Sequence, residues 1–362
     1  ALTQELDLFY LRSSEESFHP YSDEFTMPAD RFIARYIAHP KLRDILAYMN
    51  PMYGGVAGHT PAYVHALINV LYINGTDRFV GGSQQLATAL CRVIESEGGQ
   101  VVPLAQAERI ETTDRMVSCV HTKDGRKFSA RYYISAVHPD EMLRIADTSA
   151  FPKAYASRLR SIPSTYSTFS LFVELYPKAF PYINHTCYYQ QDYDKIWNLA
   201  HYDEQTFPYG FMYMTPPTPQ QTPWASHLIV NCLMPFEAVS PWEDSHTGRR
   251  DDSYRAWKKR QEERIIDRME ELHPHFRQAV KQVWSGSPLT IRDYYHTTRG
   301  AIYGYSKDCN NLLLSQVPVV TKVRNLFLTG QCVGLHGICG VPLSAITTAE
   351  AIVGRNVIIR KL

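Results

Sequence analysis

The stretch TGQCVGLHGICGVPLSA, residues 329–345, follows the apolar run Leu326, Phe327 and Leu328 and leads into Ile346, Thr347, Thr348, Ala349, Glu350, Ala351 and Ile352. An apolar triplet, glycines three apart at Gly334, Gly337 and Gly340, and then an apolar helical segment predict a buried strand, a loop and a helix. This order is how an α/β protein presents helix N-terminal N–H groups to an anionic or electron-rich cofactor. A turn that only packs a strand against a helix would show the same glycines, and that reading stays open beside the first.

Upstream, apolar residues at helical spacing on both sides of Pro40 predict two short helices over residues 28–50, and Pro61 opens a third, apolar helix. The run RFVGGSQQLATALCRVIESEGGQVVPL predicts strand, Gly81-Gly82 turn, helix and strand. Ser83 is expected to cap the helix, Leu86, Leu90, Val93 and Ile94 to share one face, and Gly98-Gly99 to end it. Strands are expected at 109–112, 116–122 and 127–130, with Asp124-Gly125 as a turn, followed by a buried strand at 132–136. From about residue 150 to 295 aromatics and prolines increase, and STFSLFVELY, HTCYYQQ, GFMYM and HLIVNCLM predict a separate antiparallel sheet. Residues 251–272 predict a helix covering that sheet through Tyr254, Trp257, Ile265, Met269 and Leu272. Its Lys258-Lys259-Arg260 cluster reads as a salt-bridged outer face.

A chain of 362 residues has room for two or three domains at about 150 residues each. With 37 basic and 36 acidic residues it carries no global field that would draw a nucleic acid, so no nucleic-acid partner is expected. Seven cysteines without a C-x-x-C pair fit reduced thiols and a cytoplasmic setting. No signal peptide is read in residues 1–17, and the longest apolar stretch, residues 62–73, is broken by His65 and Asn69 and falls short of the roughly 20 residues of a membrane span. His336 with Cys332 and Cys339 lacks the paired spacing of a zinc site, so no metal is expected. Neither a G-x-S-x-G elbow nor an H-E-x-x-H pair occurs, which removes the main support for a hydrolase.

A dinucleotide site also needs a first turn with G-x-G-x-x-G, where only glycine lets the backbone approach a pyrophosphate. The chain contains no G-x-G triplet. The order GGSQQLATAL, IESEGGQVV, AERI, DGRKFSARYYISAVHPDEML, then SPLTIRDYYHTTRGAIYG, then VRNLFLTGQCVGLHGICGVPLSAITTAEAI resembles the phytoene desaturase and retinol saturase family of FAD-dependent oxidoreductases across nearly the whole chain. Arg299-Gly300-Ala301, Tyr303-Gly304 and Thr329-Gly330-Gln331 look most like the retinol saturase side.

The resemblance implies a C-terminal part of a longer enzyme, lacking the βαβ unit that carries the first FAD motif. FAD is then the cofactor of the full-length protein and is expected to be absent from this chain, which is expected to be inactive alone. The fold implied is mixed, α+β with α/β. It comprises a partial FAD/NAD(P)-binding, Rossmann-like domain and an antiparallel-sheet substrate domain with covering helices. The expected divisions are 1–80, a helical part of the substrate domain; 81–145, a remnant FAD-binding domain; 146–295, the antiparallel substrate domain; and 296–362, a return to the FAD-binding domain.

By the same resemblance, Gly330 and Gln331 lie near the ribityl and pyrophosphate, and Gly337 and the Gly340 and Val341 amides belong to the flavin-facing loop. Ala107 places a backbone group against adenine, and Gly81 and Gly82 mark the return crossing into the flavin domain, although a tight turn explains those two glycines equally well. Saturating a C=C bond needs a proton donor beside the hydride carrier. The candidates are Tyr294, His296, Arg299 and Tyr303, with Tyr295 beside them; pocket-wall aromatics with a structural arginine are the plainer reading. Phe169, Phe172, Tyr188, Tyr189, Phe211 and Tyr213 are available to line a channel, about half of them facing away from it. The expected reaction is hydride transfer between FAD and a polyene or isoprenoid, saturating or desaturating a C–C bond. A flavin-dependent amine oxidase and a non-catalytic scaffold are the alternatives. The expected partners are an apolar substrate, a second copy bound through the uncovered surface, and a membrane touched peripherally.

Overall fold

The structure, a computed structural model, describes residues 23–147, 149–220 and 222–361. The signal-peptide reading of residues 1–17 lies outside the described residues, as does the start of the 1–80 segment. Among the described residues no helix is long and apolar enough to cross a membrane.

The chain opens with short helices α1 (Asp23–Thr26), α2 (Ala29–Tyr36) and α3 (Pro40–Leu46), followed by α4 (Ala62–Asn74), whose residues Ala62 to Ile68 are all buried. Helix α5 (Gln84–Ser96) forms as its periodicity predicts, but none of its residues is buried. Ser83 does not cap it with its side chain; instead the Gln85 amide donates to the Val80 and Gly82 carbonyls and closes the turn. The strands expected on either side of α5, around residues 78–80 and 100–102, do not form. A strand exists only where a neighbour accepts its backbone hydrogen bonds, and none of the described residues offers an edge there.

Strands β1 (Ala107–Thr113), β2 (Met116–Thr122) and β3 (Lys127–Phe128) make an antiparallel sheet, and Gly125, at φ +84°, closes the Asp124-Gly125 turn. Strand β4 (Tyr133–Ser135) pairs in parallel with β10 (Leu326–Leu328), Tyr133 opposite Leu326. The two strands form a sheet of their own. Strand β4 is not buried as expected: Ile134 is 53 % exposed and Tyr132 beside it is also open, because a parallel strand needs cover on both faces and here receives it on one. Helices α6 (Pro139–Ile145) and α7 (Lys153–Ser161) close a core of Met142, Leu159, Val323 and Leu326 over this region.

The antiparallel sheet is the larger body. Strands β5 (Ser167–Leu175), β6 (Cys187–Gln190), β7 (Gly210–Met214) and β8 (His227–Met234) appear where the alternating runs predict them. A further strand, β9 (Val280–Gly286), completes the order β6-β7-β8-β5-β9. Helix α8 (Asp252–Leu272) covers one face with Tyr254, Trp257, Ile265 and Met269, capped by the Asp251 carboxylate accepting from the Tyr254 N–H. Gln261 and Ile266 are buried with that stripe, whereas Leu272 is partly exposed. The outer face is salt-bridged through Lys259, to Glu262 and Glu263, and Arg260, to Glu204, whereas Lys258, expected in the same cluster, turns inward and donates to the Ser285 carbonyl. Helices α9 (Phe276–Ala279), α10 (Pro288–Tyr295), α11 (Leu312–Ser315) and α12 (Gly337–Val353) complete the chain.

Candidate functional site

Parallel pairing of β4 and β10 brings their C-terminal ends side by side, where open α/β sheets bind ligands. The Thr329 N–H donates to the Ser135 carbonyl at 3.0 Å, extending the pair by one residue. Gly330 then turns at φ +93°. The loop is tied to the helix that follows it. The Gly330 N–H donates to Ser344 Oγ at 2.9 Å, Ser344 Oγ donates to the Val341 carbonyl, and the Thr348 hydroxyl donates to the Leu328 carbonyl at 2.8 Å. Strand, loop and helix are therefore hydrogen-bonded into one unit.

The three spaced glycines have three different reasons. Gly337 sits at φ +80°, a conformation L side chains rarely adopt, and the space its Cβ would enter is empty to 4 Å. At Gly340 a Cβ would lie 2.4 Å from the Leu335 carbonyl carbon and oxygen, so the loop's own backbone excludes a side chain. At Gly334 a Cβ would meet Ser344 at an ordinary 3.5 Å. The start of α12 has no side-chain cap, and Ile338, Cys339 and Val341 are exposed around it. An uncapped 17-residue helix start, with open space at Gly337 and exposed Ile338 and Val341, suits an anionic, flat, partly apolar group, with helix-end stabilisation of roughly 0.3–2 kcal/mol. A flavin has that chemistry, and these residues fit one half of its cradle.

Next to this loop, His336 Nε2–H donates to the Met52 carbonyl at 2.7 Å, Tyr303 donates to the Pro51 carbonyl at 2.9 Å, and the two rings lie 4.4 Å apart. Burial pulls the His336 pKa down to about 4 and pushes the Tyr303 hydroxyl well above its usual range, so both stay neutral at pH 7. Lys307, also desolvated by burial, drops to about 8, and Cys332 beside it rises to about 11. Met52 opens onto a cleft of 1060 Å³ between the helical segment and the antiparallel sheet, with Tyr72, Tyr188, Met212 and Met214 among its walls. A second cavity, of 330 Å³, adjoins it through Tyr48 and Tyr188.

Of the four candidate proton donors, only Tyr303 is placed against this loop. Tyr294 and Tyr295 are exposed at the end of α10, and His296 follows them in a left-handed conformation. Arg299 stacks on Phe236 at 5.2 Å and pairs with Glu237. Gln331 is half-buried and Val341 exposed. Ala107 begins β1 opposite Thr122, in a different sheet from the parallel pair, and packs against the core that includes Leu326 and Leu328. Gly81 and Gly82 occupy positive φ at an exposed turn, and the Gly81 N–H donates to the Pro217 carbonyl.

Of the aromatics proposed for a channel, Phe169 and Tyr213 point into the α8 core and Tyr188 into the cleft. Tyr189 and Phe211 border the smaller cavity from the core side, and Phe172 lies exposed two strands from Met214. Met52, Tyr72, Arg78, Met212 and Met214 were not read from the sequence. The alternation in GFMYM puts Met212 and Met214 on one face, but which face meets the cleft is not encoded there. His138 was also missed: it caps α6, its pKa is pulled to about 4 by burial, and its Nε2 is buried without a partner.

Residues 28–353 match the family described as flavin containing amine oxidoreductase. All-trans-retinol 13,14-reductase from Danio rerio is 26% identical over 345 residues, covering 87% of this chain and 56% of that protein. The lycopene-forming phytoene desaturase of a Paracoccus strain is 25% identical over 345 residues, covering 88% of this chain and 63% of that enzyme. The chain thus spans less than two thirds of these relatives. Among solved structures, an oxidoreductase from Methanosarcina mazei superposes with a TM-score of 0.63 at 14% identity, over 96% of this chain and 74% of that one. Putrescine oxidase bound to putrescine does so with a TM-score of 0.60 at 15% identity, over 97% and 74%. These last two likenesses speak for the fold.

Proposed function

The chain belongs to the flavin containing amine oxidoreductase family, and from that premise we propose that it forms the substrate domain and the second half of the flavin site of an enzyme that saturates or desaturates C–C bonds in an apolar polyene or isoprenoid. The observation that carries the reading is the 1060 Å³ cleft, walled by tyrosines and methionines, opening at Met52 beside the loop that His336 and Tyr303 hold. No G-x-G turn occurs in these 362 residues, so the proposal assigns the cofactor's pyrophosphate to a βαβ unit outside them. When bound, FAD supplies the hydride acceptor or donor for the C–C bond.

The residues present have separate tasks. The first amides of α12 would stabilise negative charge on a flavin held at this loop, and Ser344 and Thr348 tie the helix to the loop and strand before it. Tyr303 and His336, both neutral, hold the backbone at Pro51 and Met52 and so set the inner wall of the cleft. Burial raises the Tyr303 hydroxyl pKa and its proton is engaged on the Pro51 carbonyl, so Tyr303 serves as a positioning residue for the cleft wall and not as the proton donor. Tyr188, Met212 and Met214 exclude water and leave van der Waals contact as the main attraction for a long chain.

The test is to incubate the full-length protein with all-trans-retinol and with phytoene and follow the polyene spectrum. Saturation shortens the conjugated system and shifts absorption to shorter wavelength; desaturation does the reverse. Turnover of alkylamines with peroxide release, and none of either polyene, would replace this reading with the amine-oxidase one.

A further inference from the structure

We propose that Arg78 is the recognition point for a carboxylate at one end of the substrate, so that the cleft takes an apolar polyene or isoprenoid acid in preference to a hydrocarbon. The inference rests on the reading of the cleft as an apolar-chain site. The lining of that cleft is of two kinds: Met52, which meets the His336 loop through its carbonyl, Tyr72, Tyr188 and Met212 are largely apolar, whereas Thr76, Asp77, Arg78, Asn184, Thr186 and Thr222 are polar. A pure hydrocarbon gains nothing from desolvating such polar groups, whereas a chain with one polar terminus satisfies both kinds.

Arg78 is half-buried, and its contacts leave it short of partners. Nη1 donates to the Ile183 and Thr215 carbonyls at 3.5 and 3.3 Å, and Nη2 to Thr186 Oγ1 at 3.4 Å. All three are longer than a usual N–H···O bond of about 2.9–3.0 Å. A guanidinium carries five N–H donors. Nε–H and one Nη2–H are therefore unengaged among the described residues, and Nε and Nη2 form one edge of the planar fork that accepts a carboxylate in bidentate fashion. No described carboxylate forms an ion pair with Arg78; Asp77 lines the same cleft without doing so.

The guanidinium is also aimed in advance. The Ile183 N–H donates to Thr215 Oγ1 at 2.8 Å and Thr215 Oγ1 donates back to the Ile183 carbonyl at 3.0 Å, which locks together the two segments whose carbonyls hold Nη1. An oriented donor pair costs a ligand less ordering than a mobile lysine would. Among the lining residues Arg78 is the one Lys or Arg. One cation, with the Asp77 carboxylate in the same lining, matches at most a single negative charge, so a carboxylate fits better than a diphosphate.

The experiment is equilibrium dialysis of this chain against retinoic acid, retinol and the parent hydrocarbon of the same carbon skeleton, repeated with Arg78→Gln and Arg78→Lys. The unmutated chain should bind the acid about tenfold more tightly than the hydrocarbon, as expected of a charge-assisted contact. Raising the ionic strength from about 0.05 to about 0.5 M should erode that preference. Arg78→Gln should abolish it by weakening binding of the acid, and Arg78→Lys should keep part of it. Equal binding of acid and hydrocarbon by the unmutated chain, or a preference that survives both salt and Arg78→Gln, overturns the Arg78 assignment and leaves the apolar-chain reading standing. Failure of all three ligands to bind overturns both. The salt series needs no variant, so the outcome does not depend on how well the substituted proteins fold.

Discussion

A methyl group at Gly340 would sit 2.4 Å from the Leu335 carbonyl, and nothing in that contact can swing away because it is backbone. Gly340→Ala is therefore expected to cost about 1–3 kcal/mol of stability, as overpacking does. Gly334→Ala, which meets Ser344 at 3.5 Å, should stay within about 0.5 kcal/mol. Urea melts of the two variants check this; identical midpoints would mean that the Leu335 turn yields. Protonation is the other residue-scale constraint. His65, His138 and His336 are all pulled to about 4 by burial. Their folded pKa values lie below the unfolded 6.5, so the unfolded chain binds more protons in between. Stability is then full above pH 6.5 and falls toward pH 4, by up to about 1.4 kcal/mol per pH unit for each ring. Melts at pH 7.5 and pH 5 read the difference; equal midpoints would show that the three rings take up protons while folded.

Helix α8 buries Gln261 completely among Trp257, Ile265 and Met269, with its Oε1 unsatisfied and its Nε2 making one long bond to the Trp257 carbonyl. An unpaired buried acceptor costs more than its single bond returns. Gln261→Met, which keeps length and flexibility while removing the polar group, should raise stability by about 0.5–1.5 kcal/mol in thermal or urea unfolding. A lower melting point would show that the Oε1 has a partner, such as a buried water. Helix α5 behaves in the opposite way. Its apolar positions Leu90 and Val93 are 57 % and 60 % exposed, so the stripe that its periodicity announced meets nothing among the described residues. One face of β4 is open in the same way, at Ile134, and the two flanking strands read from the sequence are missing for lack of a neighbour.

At the scale of the molecule, a five-stranded antiparallel sheet accompanies a two-stranded parallel pair with open apolar surface. We expect this chain alone to hold FAD far more weakly than when joined to a G-x-G-x-x-G unit, and to self-associate through the surface around α5. A purified yellow sample with stoichiometric flavin would sink the first part. Light scattering tests the second, with Leu90→Lys/Val93→Lys expected to shift the chain toward monomer without lowering its melting point. Alternation in HLIVNCLM, the stripe in DSYRAWKKRQEERIIDRMEEL and the glycine-spaced loop containing LHGICG were legible because each follows from bond geometry within a few residues. Those local rules determined the antiparallel strands, the covering helix and the strand-loop-helix at the end of the chain. Whether a strand finds a partner, which face of β7 meets the cleft, that Tyr303 and not Tyr294 lies against His336, and that Arg78 stands in the cleft's polar lining were decided by tertiary structure alone. A backbone hydrogen bond or a buried wall needs a second segment, and those segments lie more than a hundred residues away in the chain: Met52 and His336, Arg78 and Ile183, Tyr133 and Leu326.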